Sequence, residues 1–127
     1  MNAPTEHFSI KLKDQKLFRQ QCYVDGQWVD ADGKQTLPVN NPATGAIIGS
    51  IPKMGAAETR RAIDAADQAL PAWRARTAKE RANILRKWFD LMLANQDDLA
   101  LIMTSEQGKP LSEAKGEIAY AASFIEW

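Results

Sequence analysis

Cys22 and His7 are the sole cysteine and the sole histidine among the 127 residues, and they set narrow limits on what the side chains can do. A metal centre draws on several convergent His, Cys or carboxylate ligands. His7 stands alone in a polar N-terminal stretch and is not assigned as a ligand. Covalent catalysis needs a nucleophile with a base in reach. Cys22 lies on a predicted strand beside Tyr23 with no histidine to activate it, so it reads as buried, inert packing rather than as a reactive thiolate. Phosphate binding calls for a glycine-rich loop opening into a helix. The nearest stretch, Lys53-Met54-Gly55-Ala56, has one glycine and reads as a plain strand-to-helix connection.

Three further groups invite a chemical reading and have a simpler one. In Gln107-Gly108-Lys109-Pro110, Gly108 ends a helix, Pro110 starts the next element and Lys109 complements the helix C-terminal dipole. Glu113 and Glu117 lie four apart on one helix face, as an acid pair would. With Lys115 and Glu126 nearby they read as a solvated face. Trp73, Trp88 and Phe89 could stack a ligand, but at helical spacing they read as core. No residue is assigned as catalytic, cofactor-binding or metal-ligating on the residues alone.

The elements that would position these side chains change period along the chain. Met1–Ser9 is polar, and residues 1–11 are expected to be a disordered leader. Asp14 can cap a short helical turn that puts Leu17 and Phe18 on one side. Gln21 to Asp30 reads as a β-hairpin: Asp25-Gly26 suits the positive backbone angles of a two-residue turn, Tyr23 then faces Trp28, and Cys22, Val24 and Val29 share the other face. Asp32-Gly33 offers a second turn. Leu37 and Val39 follow at a spacing of two, with Pro38 marking an edge strand. Asn41-Pro42-Ala43-Thr44-Gly45 is a loop, and Ala46 to Ile51 can return as a strand.

From Ala56 the period is helical. Thr59, Ile63, Ala66, Leu70 and Trp73 form one stripe, with Pro71 expected to end or kink the helix near Leu70. Thr77 and Glu80 are spaced as a capping box. They open a helix with Ala82, Leu85, Phe89 and Met92 on one stripe and Ile84, Trp88 and Leu91 beside it, an arc wide enough to be covered on two sides. Asn95 is the expected stop. Asp97 to Gln107 makes a third helix with Leu99, Ile102 and Met103 inward, closed by Gly108. A fourth begins near Leu111 with Ala114, Ile118, Ala121 and Ile125 on one stripe and Tyr120, Phe124 and Trp127 on a second.

Composition narrows the class. Lys plus Arg equals Asp plus Glu at 16 each, and the sequence pI is near 6.6. That balance gives no electrostatic basis for nucleic acid or an anionic membrane as a partner. A lone cysteine permits no internal disulfide and agrees with a reducing cytoplasm. No run approaches the roughly 18 apolar residues of a membrane span, and the first nine residues do not resemble a secretory signal.

The order and wording of the segments say more. Tyr23-Val24-Asp25-Gly26-Gln27-Trp28, then Asn41-Pro42-Ala43-Thr44-Gly45, then the alanine-rich helix closing on Trp73 resemble the start of the aldehyde dehydrogenase superfamily. Thr77-Ala78-Lys79-Glu80-Arg81 and Glu106-Gln107-Gly108-Lys109-Pro110 are similar to its next two landmarks. Finer wording resembles the bacterial succinate-semialdehyde dehydrogenases: Leu17-Phe18-Arg19-Gln20-Gln21, Pro52-Lys53-Met54-Gly55, Gln96-Asp97-Asp98-Leu99-Ala100, Glu113-Ala114-Lys115-Gly116-Glu117-Ile118 and the closing Tyr120-Ala121-Ala122-Ser123-Phe124-Ile125-Glu126-Trp127. Glutarate-semialdehyde dehydrogenases look similar through the same region.

The resemblance implies an α/β parent fold with a Rossmann-like cofactor domain, a catalytic domain and a hairpin arm that builds dimers and tetramers. It implies NAD or NADP as hydride acceptor, a semialdehyde substrate, attack by a cysteine thiolate, an oxyanion held by backbone and Asn donors, and a Glu that activates water. Residues 12–127 would be N-terminal hairpins and about four helices flanking the cofactor domain, an incomplete piece cut within a helix. The family's nucleophile, base, oxyanion Asn and cofactor segments would then fall beyond Trp127. Cys22 matches none of them, and the chain alone is expected to bind no cofactor and turn over no substrate. A non-catalytic interaction module, using the strand edge at Pro38 and the helix face at Trp127, is the competing reading.

Overall fold

The computed structural model describes residues 10–127. A single 3₁₀ turn, Gln15–Leu17, comes first, and Asp14 caps it by accepting from the Lys16 amide at 2.9 Å. Two separate antiparallel hairpins follow. Strands β1 (Cys22–Val24) and β2 (Gln27–Val29) pair with Tyr23 opposite Trp28. Asp25 and Gly26 both take positive φ, 50° and 73°, the combination a two-residue turn requires. The two rings sit 5.1 Å apart between centroids, so the predicted register is the observed one. Strands β3 (Thr36–Asn40) and β4 (Ile47–Pro52) pair with an irregularity between Val39 and Asn40. Pro38 is tolerated because each strand of a two-stranded sheet has a free edge.

The loop between β3 and β4 closes on its own polar atoms. The Ala43 amide donates to the Asn41 side chain at 2.9 Å, and the Gly45 amide donates to the Asn41 carbonyl at 2.7 Å. Asn41 therefore makes the turn that its position before Pro42 suggests.

Four helices complete the chain: α1 (Ala56–Ala75), α2 (Ala78–Ala94), α3 (Gln96–Gln107) and α4 (Leu111–Glu126). Helix α2 opens on the expected capping box. The Thr77 hydroxyl accepts from the Glu80 amide, and the Glu80 carboxylate accepts from the Thr77 amide at 2.7 Å. Those bonds hold the Glu80 carboxyl below its ordinary pKa, the Thr77 amide first. Helix α3 stops at Gly108 in the left-handed region. None of these helices is long and apolar enough to cross a membrane among the described residues.

Pro71 does not end α1, which runs on to Ala75. Proline removes one backbone donor and leaves a carbonyl of the previous turn unpaired. No residue of α1 is buried, so water can satisfy that carbonyl. The expected inward stripe of α1 is also absent: Ile63 is 63% exposed and Leu70 49%, while Glu58, Ala62, Ala65 and Trp73 are the half-covered positions. Periodicity located an amphipathic helix, but the described residues cover Trp73 only in part and leave Ile63 and Leu70 open.

The core is small and sits where α2, α3 and α4 meet. Ala100 and Ala114 are fully buried, with Ile118, and Leu99 and Met103 pack against them. Ala122, rather than the expected Ala121, continues the buried line on α4. Small side chains at the crossing let the helix backbones approach closely. The outer stripe of α2 is uncovered, with Trp88 and Leu91 each 53% exposed. Packing also begins earlier than residue 12: Ile10 is only 4% exposed and lies beside Leu101 and Thr104 of α3.

Candidate functional site

A cleft of about 800 Å³ lies between the β1–β2 hairpin and α1. Asp25, Asp30, Asp32, Glu58 and Asp64 line it together with Lys34, Arg61, Val24, Trp28 and Met54. Most of these charges are already engaged. Arg61 reaches Asp32 at 2.7 Å, Lys34 reaches Asp30 at 3.5 Å, and the Gln21 amide donates to Asp30 at 2.9 Å. The Gln21 bond, with Lys34 behind it, holds the Asp30 carboxyl below its ordinary pKa. Glu58 accepts from the Asp32 amide at 2.8 Å and from the Gly55 amide at the head of α1.

Glu58 decides the chemistry of the Lys53–Ala56 connection. A helix N-terminus offers free amides and a favourable field to an anion. Here the chain's own carboxylate takes that place, as Glu80 does on α2. Five carboxylates against two cations in the cleft would in addition repel a phosphate. The cleft ties a hairpin to a helix and provides no anion cradle.

The other candidates are scattered. Cys22 is half-buried on β1 opposite Val29, less covered than expected because a two-stranded sheet shields only part of either face. His7 lies outside the described residues. No group of three or more His, Cys, Asp or Glu side chains that could hold a metal occurs among the described residues. Trp73 and Phe89 are half-buried, whereas Trp88 faces outward. No ring pair joins the three among the described residues; Phe89 instead lies 5.0 Å under the Arg86 guanidinium.

Lys109 has a partner its place after Gly108 did not announce. Its side chain is only 14% exposed and forms an ion pair with Glu117, folding the α3–α4 corner onto α4. Glu117 thus pairs with Lys109 and not with Glu113. Helical spacing placed both glutamates on one face but could not show that the Lys109 stem bends back over that face.

The sequence reading missed the polar centre at the head of α3. Asp98 is 6% exposed, and its two oxygens accept from the amides of Lys13 and Asp14 at 3.0 and 2.9 Å. Asp97 beside it meets Lys115 at 2.7 Å and Lys13 at 2.8 Å. Hydrogen bonds from Lys115 and then Lys13 bring its pKa down from 3.8 to about 2, and the same contact raises that of Lys13. The only signal in the sequence was two acids in a first helical turn, which suit the helix dipole wherever they point.

A carboxyl with a folded-state pKa below its unfolded value contributes stability above the unfolded pKa, and that contribution is lost as pH falls through the folded one. Asp97 therefore predicts a loss of stability between pH about 4 and about 2. Asp97→Asn should flatten urea-midpoint profiles across that window, and added salt should shrink the difference because both partners are exposed.

The aldehyde dehydrogenase family profile matches residues 28–127. The glutarate-semialdehyde dehydrogenase of Pseudomonas aeruginosa is 80% identical over 118 residues, which cover 93% of this chain and 24% of that protein. The succinate-semialdehyde dehydrogenase [NADP(+)] of Escherichia coli is 67% identical over the same shares. Among solved structures, an Escherichia coli NADP-dependent enzyme superimposes with a TM-score of 0.91 at 68% identity, over 92% of this chain and 24% of its own. The succinate-semialdehyde dehydrogenase of Burkholderia pseudomallei gives 0.89 at 66%, over 91% of this chain and 24% of its own. The chain spans about a quarter of the length of the curated relatives it matches.

Proposed function

The chain belongs to the aldehyde dehydrogenase family, and from that premise we propose that it is the N-terminal part of an NAD(P)-dependent semialdehyde dehydrogenase. The parent enzyme oxidises succinate semialdehyde to succinate. The observation that carries this reading is the 67% identity to the Escherichia coli succinate-semialdehyde enzyme across 93% of the chain. Glutarate semialdehyde, one methylene longer, is a second reading, favoured by the 80% and 72% identities to two Pseudomonas glutarate-semialdehyde enzymes. Both substrates are short aldehydes with a carboxylate at the far end.

The heads of α1 and α2 are poor seats for the pyrophosphate of a nicotinamide dinucleotide. Pyrophosphate recognition uses free amides at a helix N-terminus, and side-chain carboxylates already hold the N-cap amides of α1 and α2. We therefore assign these residues a scaffold role and place cofactor binding and catalysis in the remaining length of the parent. The same reading accounts for the exposed aromatics on α2 and α4, among them Trp88 at 53%, Tyr120 at 66% and Phe124 at 64%. Such a patch calls for a covering surface, here the rest of the parent enzyme, a homo-oligomer of the cytoplasm.

The test is turnover by the full-length protein with both semialdehydes and both nicotinamide cofactors, comparing kcat/KM. Oxidation of at least one semialdehyde is expected, together with no turnover by the isolated 127 residues. Full-length protein inactive on both substrates would overturn the assignment, as would activity of the short chain alone. A short chain that stays monomeric and melts cooperatively would instead favour the interaction-module reading.

A further inference from the structure

The helices α2, α3 and α4 pack on one another and each hairpin packs on itself, but direct contacts between hairpins and helices are sparse. The segment from Ile10 to Gln20 bridges that gap, alongside the Pro42 ring that meets the end of α3 at Gly108. Its first end lies on α3, where Ile10 is buried and the Lys13 and Asp14 amides donate to Asp98. Its second end lies on β4, where Gln20 accepts from the Ser50 amide at 2.8 Å and Phe18 closes over Gly49, so tightly that a Cβ there would sit 2.9 Å from the ring.

Asp98 is the unusual member of this arrangement. It is a covered carboxylate whose hydrogen bonds come from main-chain amides more than eighty positions earlier, and no ion pair to it occurs among the described residues. A buried charge is stable only while its oxygens are hydrogen-bonded. Its two donors belong to the segment, so when the segment lifts away its oxygens need water. Docking and coverage of Asp98 are therefore one event. The neighbouring Lys13–Asp97 pair is different: both side chains are more than half exposed, and such pairs contribute little.

We propose that residues 10–20 form a strap that couples the β3–β4 hairpin to the helical core, and that Asp98 is its latch. The strap opens as a local unit while α3 and α4 stay folded, in the manner of sub-global opening. The proposal does not depend on the catalytic assignment.

Hydrogen exchange on the full-length protein tests it, read at the amides of Lys13 and Asp14 and, as reference, at Ile118 on α4. Asp98→Ala should speed exchange at the two strap amides at least tenfold and leave Ile118 unchanged. Ile10→Ala, which loosens the strap from its own side and leaves every α3 residue in place, should do the same and serves where the first variant does not fold. Asp97→Asn should leave the strap amides protected. Unchanged protection at residues 13 and 14 in both releasing variants would overturn the proposal, as would equal loss at Ile118, since the strap would then not move independently of the core.

Discussion

Gly108→Ala is expected to cost about 2–5 kcal/mol, a large share of the roughly 5–15 kcal/mol that holds an ordinary domain together. Two penalties combine at this position. Gly108 has φ of +82°, where a side chain crowds the following carbonyl, at about 1–2 kcal/mol. A Cβ built there would also lie 2.8 Å from Cγ of Pro42. Pro42 is pinned by the Asn41 turn and cannot yield freely, and overpacking of that kind adds about 1–3 kcal/mol. Gly45→Ala separates the two effects. Gly45 has φ of +73°, and nothing lies within 4 Å of the place its methyl group would take, so only the backbone penalty remains. Urea midpoints should therefore order as wild type, then Gly45→Ala, then Gly108→Ala. Equal midpoints for the two variants would show that the Pro42 contact relaxes.

That glycine shows how far the sequence reached. A Gly followed by a Lys-Pro pair after an apolar period identifies a helix end, because only local backbone preference is involved. The Asp25-Gly26 turn and the Thr77–Glu80 capping box were legible for the same reason: each is settled within four residues. The hairpin register then followed, because a two-residue turn places Tyr23 opposite Trp28 with no other choice. The same glycine's contact with Pro42 was invisible, since it joins a loop to a helix end sixty-six positions later.

What the sequence did not disclose is long-range in this sense. Asp98 reads as an acid in a first turn, and only the fold brings the Lys13 and Asp14 amides to it. Lys109 and Glu117 belong to different elements, and their pairing depends on the angle of the α3–α4 corner. Pro71 does not end α1, since a helix lying open to water tolerates an unpaired carbonyl that a buried one would not. Of the candidate chemical residues, the structure brings together Lys109 and Glu117 among the described residues, and that pair ties the α3–α4 corner to α4. The family resemblance was legible because it rests on order and wording of segments, which need no contact map.

Helix α4 offers the sharpest comparison between pattern and packing, and a second large effect. The stripe Ala114, Ile118, Ala121, Ile125 fits a period of 3.6, and Ala122 fits it nearly as well, since a helix turns by about 100° per residue. Only the contact with α2 and α3 selects between them: Ala122 is 0% exposed, while Ala121 faces out. Ala122→Leu forces three extra carbons between closely approaching helices and should destabilise by about 1–3 kcal/mol. Ala121→Leu adds the same carbons to an exposed face and should stay within about 0.5 kcal/mol of wild type. Both substitutions keep a strong helix former, so intrinsic propensity does not separate them. The difference between their hydrogen-exchange protection at the Ile118 amide in the 127-residue chain therefore reads the rotational setting of α4 directly. If Ala121→Leu proved the costlier of the two, α4 would have to turn by one residue, and the Ala100–Ala114 contact at the centre of the core would have to be rebuilt with it.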